Sequence, residues 1–182
     1  MIYNRIIDGT DIMLRSLELS DCTSSYVSWM QDKMTNYYME TRWIEQNEDT
    51  IQEFVNKVRN SEDSYLFAIL EKNSQKHIGN IKIGPIDRRY HYADISYFIG
   101  EKDFHGKGYA SQAVALICDF GFSVLGLHRL QAGVIEGNTA SEKVLKKCGF
   151  ILEGTFRDKN MLEGKYVKTY LFAKINERDK EQ

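Results

Sequence analysis

The sequence predicts an α+β, or mixed α/β, domain whose central sheet is covered by helices on both faces. Three observations carry this: amphipathic stripes of helical spacing early in the chain, a change to a two-residue period in its middle, and a later alternation of helix and strand that closes on two strands. At 182 residues, with 42% hydrophobic and 27% charged residues, the chain can bury one core and lacks the bias of a disordered segment. It reads as a single domain over 1–182, with a core of about 11–175 and a charged tail, "NERDKEQ", at 176–182.

The elements follow in order. "LELSDCTSSYVSWMQDK" offers Ser20 or Asp21 as an N-cap and places Tyr26, Trp29 and Met30 on one helical face. In "EDTIQEFVNKVRN", Ile51, Phe54, Val55 and Val58 form a second amphipathic stripe. "YLFAIL" and "HIGNIKIG", parted by the polar "EKNSQK", read as an antiparallel hairpin. Pro85, the only proline, marks a loop after it. "YADISYFIG" alternates cleanly, with Ala93, Ile95, Tyr97 and Ile99 on one side, and stops at Gly100. A helix then carries Ala110, Ala113, Val114, Ile117, Gly121 and Val124 and ends at Gly126, before the strand "RLQAGVI". In "GNTASEKVLKKCGF", Thr139 and Glu142 make a capping box, lysines crowd the last turn and Gly149 ends the helix. "FILEGTF" and "KYVKTYLFAKI", around "KNMLEG", form a closing hairpin.

A formal net charge of -2 provides no basic surplus to draw nucleic acid or anionic lipid. No run approaches the roughly 18 apolar residues of a membrane span, and "MIYNRIIDGTDIML" lacks the pattern of a signal peptide, so a cytoplasmic location is expected. Cys22, Cys118 and Cys148 are scattered and reduced thiols are the expectation. His77, His91, His105 and His128 lack metal-ligand spacing, and no metal is implied.

The stretch "DFHGKGYASQAV" puts two glycines and a lysine at a strand-to-helix corner. Backbone N–H groups point out of such a helix end and the helix dipole is positive there, so phosphate oxygens suit it. A P-loop spacing fails, because five residues separate Gly100 from Gly106, and a dinucleotide fingerprint fails at Ser111, where its third glycine should stand. On local features alone, a glycine turn that only tightens the corner stays open.

"ADISYFIGEKDFHGKGYASQAVALICDFGF", followed by "LGLHRLQAGVIEGNTASEKVLKKCGFILEG", resembles the core of the GNAT superfamily of N-acetyltransferases, in the branch of the ribosomal-protein N-terminal acetyltransferases. "LRSLELSD" and "EGTFRDKNMLEGKYVKTYLFA" extend the resemblance over most of the chain. It implies a mostly antiparallel twisted sheet of about six to seven strands, with the fourth and fifth splayed apart, and acetyl-CoA as co-substrate. The family's pyrophosphate pattern falls on His105, Gly106, Lys107, Gly108, Tyr109 and Ala110, with His105 departing from Gln or Arg. Phe98 and Ile99 then border the pantetheine, which Asn138 and Ser141 also reach, although plain helix capping accounts for those two equally well.

Transfer to an amine needs the amine neutral, and Asp94 and Glu136 are the candidate proton acceptors, with burial expected to raise their pKa values. The position where many relatives carry a tyrosine acid is Leu145, so Ser141 or a water is the substitute. Trp29, Tyr38, Glu40 and Trp43 are the expected acceptor contacts, for a small amine such as an amino sugar, polyamine or antibiotic, or for a protein N-terminus; a lid on the core or a face toward a second subunit stays open for all four, and core is the commoner place for a residue like Trp29. A homodimer through the closing hairpin is a further expectation. The departure at Leu145 keeps open one alternative, a non-catalytic module that binds or senses acyl-CoA.

Overall fold

In the computed structural model, which describes residues 1–177, eight strands form one sheet. They are β1 (Ile7–Asp8), β2 (Ile12–Ser16), β3 (Tyr65–Glu71), β4 (His77–Asp87), β5 (Tyr92–Ile99), β6 (Arg129–Ile135), β7 (Ile151–Leu162) and β8 (Lys165–Ile175). Their spatial order is β1-β2-β3-β4-β5-β6-β8-β7, antiparallel throughout except between β5 and β6. The count exceeds the expected six to seven because a leading hairpin, β1 with β2, joins one edge. Its first strand, two residues long, is too short to show a period.

The α-helices among the described residues are α1 (Ser24–Gln31), α2 (Lys33–Asn36), α3 (Glu48–Asn60), α4 (Tyr109–Asp119) and α5 (Thr139–Lys147), of which all but the short α2 bury side chains in the core. One core cluster joins Ile81, Ile83 and Leu130 of the sheet to Val114 and Ile117 of α4 and Leu145 of α5. A second joins Leu66 and Ala68 to Tyr26 and Trp29 of α1 and Val55 of α3. No helix among the described residues is long and apolar enough to cross a membrane. Of the tail at 176–182, residues 178–182 lie outside the described residues.

Several local expectations change. Thr23, not Ser20 or Asp21, caps α1, accepting from the Tyr26 N–H. Asp21 is occupied elsewhere: its carboxylate takes two 2.6 Å bonds from the Arg15 guanidinium and one of 2.7 Å from the Glu18 N–H. Burial alone would raise the Asp21 carboxyl, but these bonds outweigh it and hold the group below the usual carboxylate range. Phe54 falls outside the buried stripe of α3 and is 41% exposed. The buried face of α4 continues past its end through Phe120 and Gly121, but Phe120–Val124 widens into a π turn that leaves Val124 exposed, before Gly126 turns the chain at φ 65°. Pro85 lies inside β4, at the irregularity between Ile83 and Ile86, a place where a missing N–H is tolerated. "KNML" extends β7, so the closing turn shrinks to Glu163 and Gly164. The expected Thr139/Glu142 box is not formed, because Asn138 takes the cap and Glu142 pairs with Lys146 at 3.2 Å.

The feature that positions the site is a fork. β5 and β6 pair only at Tyr92–Asp94 with Arg129–Gln131. Past that point β5 stays with β4 through the pair Gly79–Ile99, and β6 stays with β8 through Ile135–Thr169. Each strand keeps its other partner, and a gap opens between them.

Gly100, where the chain leaves β5, lies against Trp29, and a Cβ there would meet the indole at 2.2 Å. Gly100→Ala is therefore expected to cost roughly 2–3 kcal/mol by overpacking, measured by urea unfolding. His77 is packed edge-on against Trp29 at 5.0 Å, and burial first of all pushes its pKa down, partly offset by its bond to Asn80. The folded pKa then lies below the unfolded value of about 6.5, so protonation favours the unfolded chain. Stability from this group is full above about pH 6.5 and is lost below it, and the acid slope of Tm should flatten in His77→Gln.

Candidate active site at the fork

Past Ile99 the chain makes a short 3-10 turn, Lys102–Phe104, and enters α4 through Gly106 and Gly108. Both have positive φ, 72° and 82°, and Gly108 is the N-cap in the left-handed region. A Cβ added at either would meet nothing within 4 Å, so the space above both glycines is open. Gly108 has no side chain with which to cap α4, and the amides of a first helical turn have no partners within the helix. A diphosphate fits such a turn: open approach, outward amides, positive helix end. His105 folds back, its Nε2 2.8 Å from the Ile99 carbonyl oxygen, and so fastens the loop to the end of β5. Lys107 places its Nζ 4.9 Å above the Phe104 ring, and Tyr109 and Ala110 form the first turn of α4.

On the other arm of the fork, Asn138 caps α5 by accepting from the Ser141 N–H at 3.1 Å. The Ser141 Oγ is 3.0 Å from the hydroxyl of Tyr97, on β5. Leu145 is fully buried in the core. The gap is thus bordered by Phe98 and Ile99 on one side and by the start of α5 on the other.

The proposed proton acceptors sit differently. Asp94 is the last residue of β5 paired with β6, at the apex of the fork, and its charge is felt by the half-buried Lys82 of β4. Glu136 follows β6 and accepts from the Lys168 N–H at 3.1 Å and the Tyr170 hydroxyl at 3.4 Å, with the Lys168 Nζ 3.5 Å away. The backbone bond from Lys168, more than any other contact, pulls its carboxyl below the ordinary range. That corrects the expectation that burial raises it.

The four expected acceptor contacts do not form one cluster. Trp29 is core, 5% exposed, and donates from Nε1 to the Glu101 carboxylate at 2.9 Å, which also binds Lys76. It therefore braces the loop below Gly106 from beneath. Tyr38 places its hydroxyl 3.1 Å from where a Cβ on Gly137 would lie, just after β6. Glu40 docks on the closing hairpin, accepting from the Asn160 Nδ2 at 2.9 Å and pairing with Arg42 at 3.6 Å. Trp43 is 63% exposed, lies under the Arg42 guanidinium at 4.8 Å and lines an outer groove of about 430 Å³ with Met30 and Tyr37.

The sequence reading missed Tyr97, Glu101 and Asn160. The alternation of β5 puts Tyr97 on an apolar face, and the signal that sets it apart is its hydroxyl, which needs a partner once buried. Asn160 and Glu101 carry no pattern that separates them from ordinary surface residues.

The chain thus has a sheet forked between two parallel strands, with a glycine turn opening a helix at the end of one arm. The family described as the acetyltransferase (GNAT) domain matches residues 11–151, and the chain belongs to it. An uncharacterized N-acetyltransferase p20 of Bacillus licheniformis is 32% identical over 164 residues, spanning 89% of this chain and 91% of that protein. Among solved structures, a ribosomal L7/L12 alpha-N-protein acetyltransferase in complex with coenzyme A superposes with a TM-score of 0.84 at 19% identity, covering 94% of this chain and 98% of that one. A spermidine N-acetyltransferase from Vibrio cholerae in complex with CoA and spermine superposes with a TM-score of 0.81 at 21% identity, covering 92% and 96%. The protein is an N-acetyltransferase.

Gly106→Ala and Gly108→Ala meet no neighbour and carry only the strain of positive φ, so each should cost about 1 kcal/mol and leave a folded protein, as read by thermal unfolding. Asn138→Ala removes the cap of α5 and should cost about 1 kcal/mol in the same measurement.

Proposed function

We propose that the chain transfers the acetyl group of acetyl-CoA to a primary amine by direct attack in a ternary complex, with a small amine as the favoured acceptor and a protein N-terminus as the other. The observation that carries this is the fork joined to the open glycine turn. The amides of residues 106–110 would hold the diphosphate, and the pantetheine would lie along the free edge of β5 at Phe98 and Ile99, near Asn138 and Ser141. The amine nitrogen attacks the thioester carbonyl, its proton passes to a base, the C–S bond breaks and sulfur leaves as thiolate.

Asp94 and Glu136 divide the work unequally. A carboxylate held below its usual range, as Glu136 is, takes a proton poorly but keeps its charge, which suits drawing a cationic acceptor to the fork. Asp94, at the apex, is the better placed proton acceptor. The weakly acidic chain supports the small amine, since a ribosomal substrate would reward a basic surface. β7 is an edge strand with Ile151 72% and Phe156 46% exposed, which supports a homodimer through the closing hairpin.

The acceptor class has its own pH signature. An alkyl amine of pKa about 10.4 is neutral in roughly one molecule in 2,500 at pH 7, an α-amino group of about 7.8 in roughly one in seven. For a small amine, kcat/KM should rise about tenfold per unit between pH 6 and 8, whereas for a peptide N-terminus it should level off near pH 8. A single strong acceptor from a panel of amines and peptides, with one of these two profiles, decides between them. Asp94→Asn should lower kcat/KM at pH 7 by roughly a hundredfold, and Glu136→Gln should raise KM for a cationic acceptor with kcat kept. Wild-type values in both variants would leave positioning of an already neutral amine as the whole of the catalysis.

A further inference from the structure

Ser141 stands in the first turn of α5, and its Oγ lies 3.0 Å from the phenolic oxygen of Tyr97. The same oxygen is 3.3 Å from the Ser141 carbonyl oxygen. Tyr97 comes three positions after Asp94, the last residue of β5 paired with β6, so the contact reaches from the unpaired length of β5 to α5 across the arms of the fork. Its ring packs on the first core cluster. Burial above all pushes its hydroxyl up to about 12, although the bond to Ser141 works the other way. At neutral pH the phenol keeps its hydrogen and is available as a donor.

A phenol has one hydrogen to give. The Ser141 carbonyl sits where an α-helix supplies it with the N–H of residue 145, and Oγ is the nearer of the two oxygens. With Tyr97 donating to Oγ, the hydrogen of Ser141 is free for a third atom. The Leu145 side chain, buried and without a polar atom, offers no competing partner.

We propose that Tyr97 is a positioning residue that orients the Ser141 hydroxyl so that Ser141 donates its hydrogen to the sulfur of coenzyme A, stabilising the thiolate as the C–S bond breaks. This rests on the coenzyme A reading given above. Tyr97 gives up no proton: two hydrogen bonds in series polarise each other toward the developing negative charge. The thiolate leaves hydrogen-bonded and takes its proton afterwards from water.

The test is the titration of the coenzyme A thiol while bound, followed by thiolate absorbance in wild type, Tyr97→Phe, Ser141→Ala and the double variant, beside kcat and CoA affinity. In the wild-type complex the thiol should titrate about one pH unit below its position in the Tyr97→Phe complex. In Tyr97→Phe, kcat should fall about tenfold with CoA affinity within twofold of wild type. Because Tyr97 acts through Ser141, the double variant should match Ser141→Ala, whereas independent roles would add. Fluorotyrosine at position 97 keeps the ring and strengthens the donor, so it should move the thiol titration further down, a change no packing role produces. Equal thiol titration in wild type, Tyr97→Phe and the fluorotyrosine protein, or additive losses, would overturn the proposal alone. A wild-type protein that binds no CoA would overturn the coenzyme A reading, and this proposal with it.

Discussion

The parting of β5 from β6 after the pair Asp94–Gln131 is the constraint on which the rest of the site depends. Strands of one sheet ordinarily satisfy their edges on both sides, because an unpaired backbone group buried from water costs more than the bond it forgoes. Here each strand satisfies its other edge, β5 against β4 and β6 against β8, and past Asp94 and Gln131 the inner edges do not pair with each other. At the borders of that gap lie the apex carboxylate Asp94, the glycine turn at the end of one arm and the capped start of α5 at the other.

The second core holds the glycine turn in place. Trp29 is clamped by Glu101 through its indole N–H and lies against Gly100, while Phe98 packs on it from β5. The helix that carries Trp29 runs directly into α2 and the segment bearing Tyr38 and Glu40, so that segment and the support of the glycine turn share one packed unit. The closing hairpin completes that side, with Asn160 holding Glu40 and Arg42 reaching the Met161 carbonyl at 3.1 Å. A shift of this connection would therefore be felt at the turn that borders the fork.

Much of this was legible beforehand, and the reasons differ from element to element. The stripe Ile51, Val55, Val58 and the alternation in "YADISYFI" have strong periods, so helix and strand were recoverable there. N-caps were not: Ser20, Asp21, Thr23 and Thr139 all have capping chemistry, and only the ion pair of Asp21 with Arg15 and the bond from Ser141 to Asn138 decide which residues serve. Trp29 and Trp43 look alike in sequence, yet one is core and the other exposed, since burial is a property of neighbours that local spacing does not carry.

The sequence by itself determined the glycine turn. Only residues free to take positive φ fit at 106 and 108, and a missing side chain at the N-cap is a local fact. It likewise determined the order of helices and strands in the core, because apolar periodicity is local. The tertiary structure alone decided which side chains meet across the fork. Tyr97 and Ser141 are separated by 44 residues and are brought to 3.0 Å only when β5 and α5 pack on the same core. The tertiary structure alone also set the ionisation of Glu136, whose backbone partner comes from a strand that follows it by some thirty residues. A contact between distant segments depends on the whole sheet being assembled, and no window of the sequence contains it.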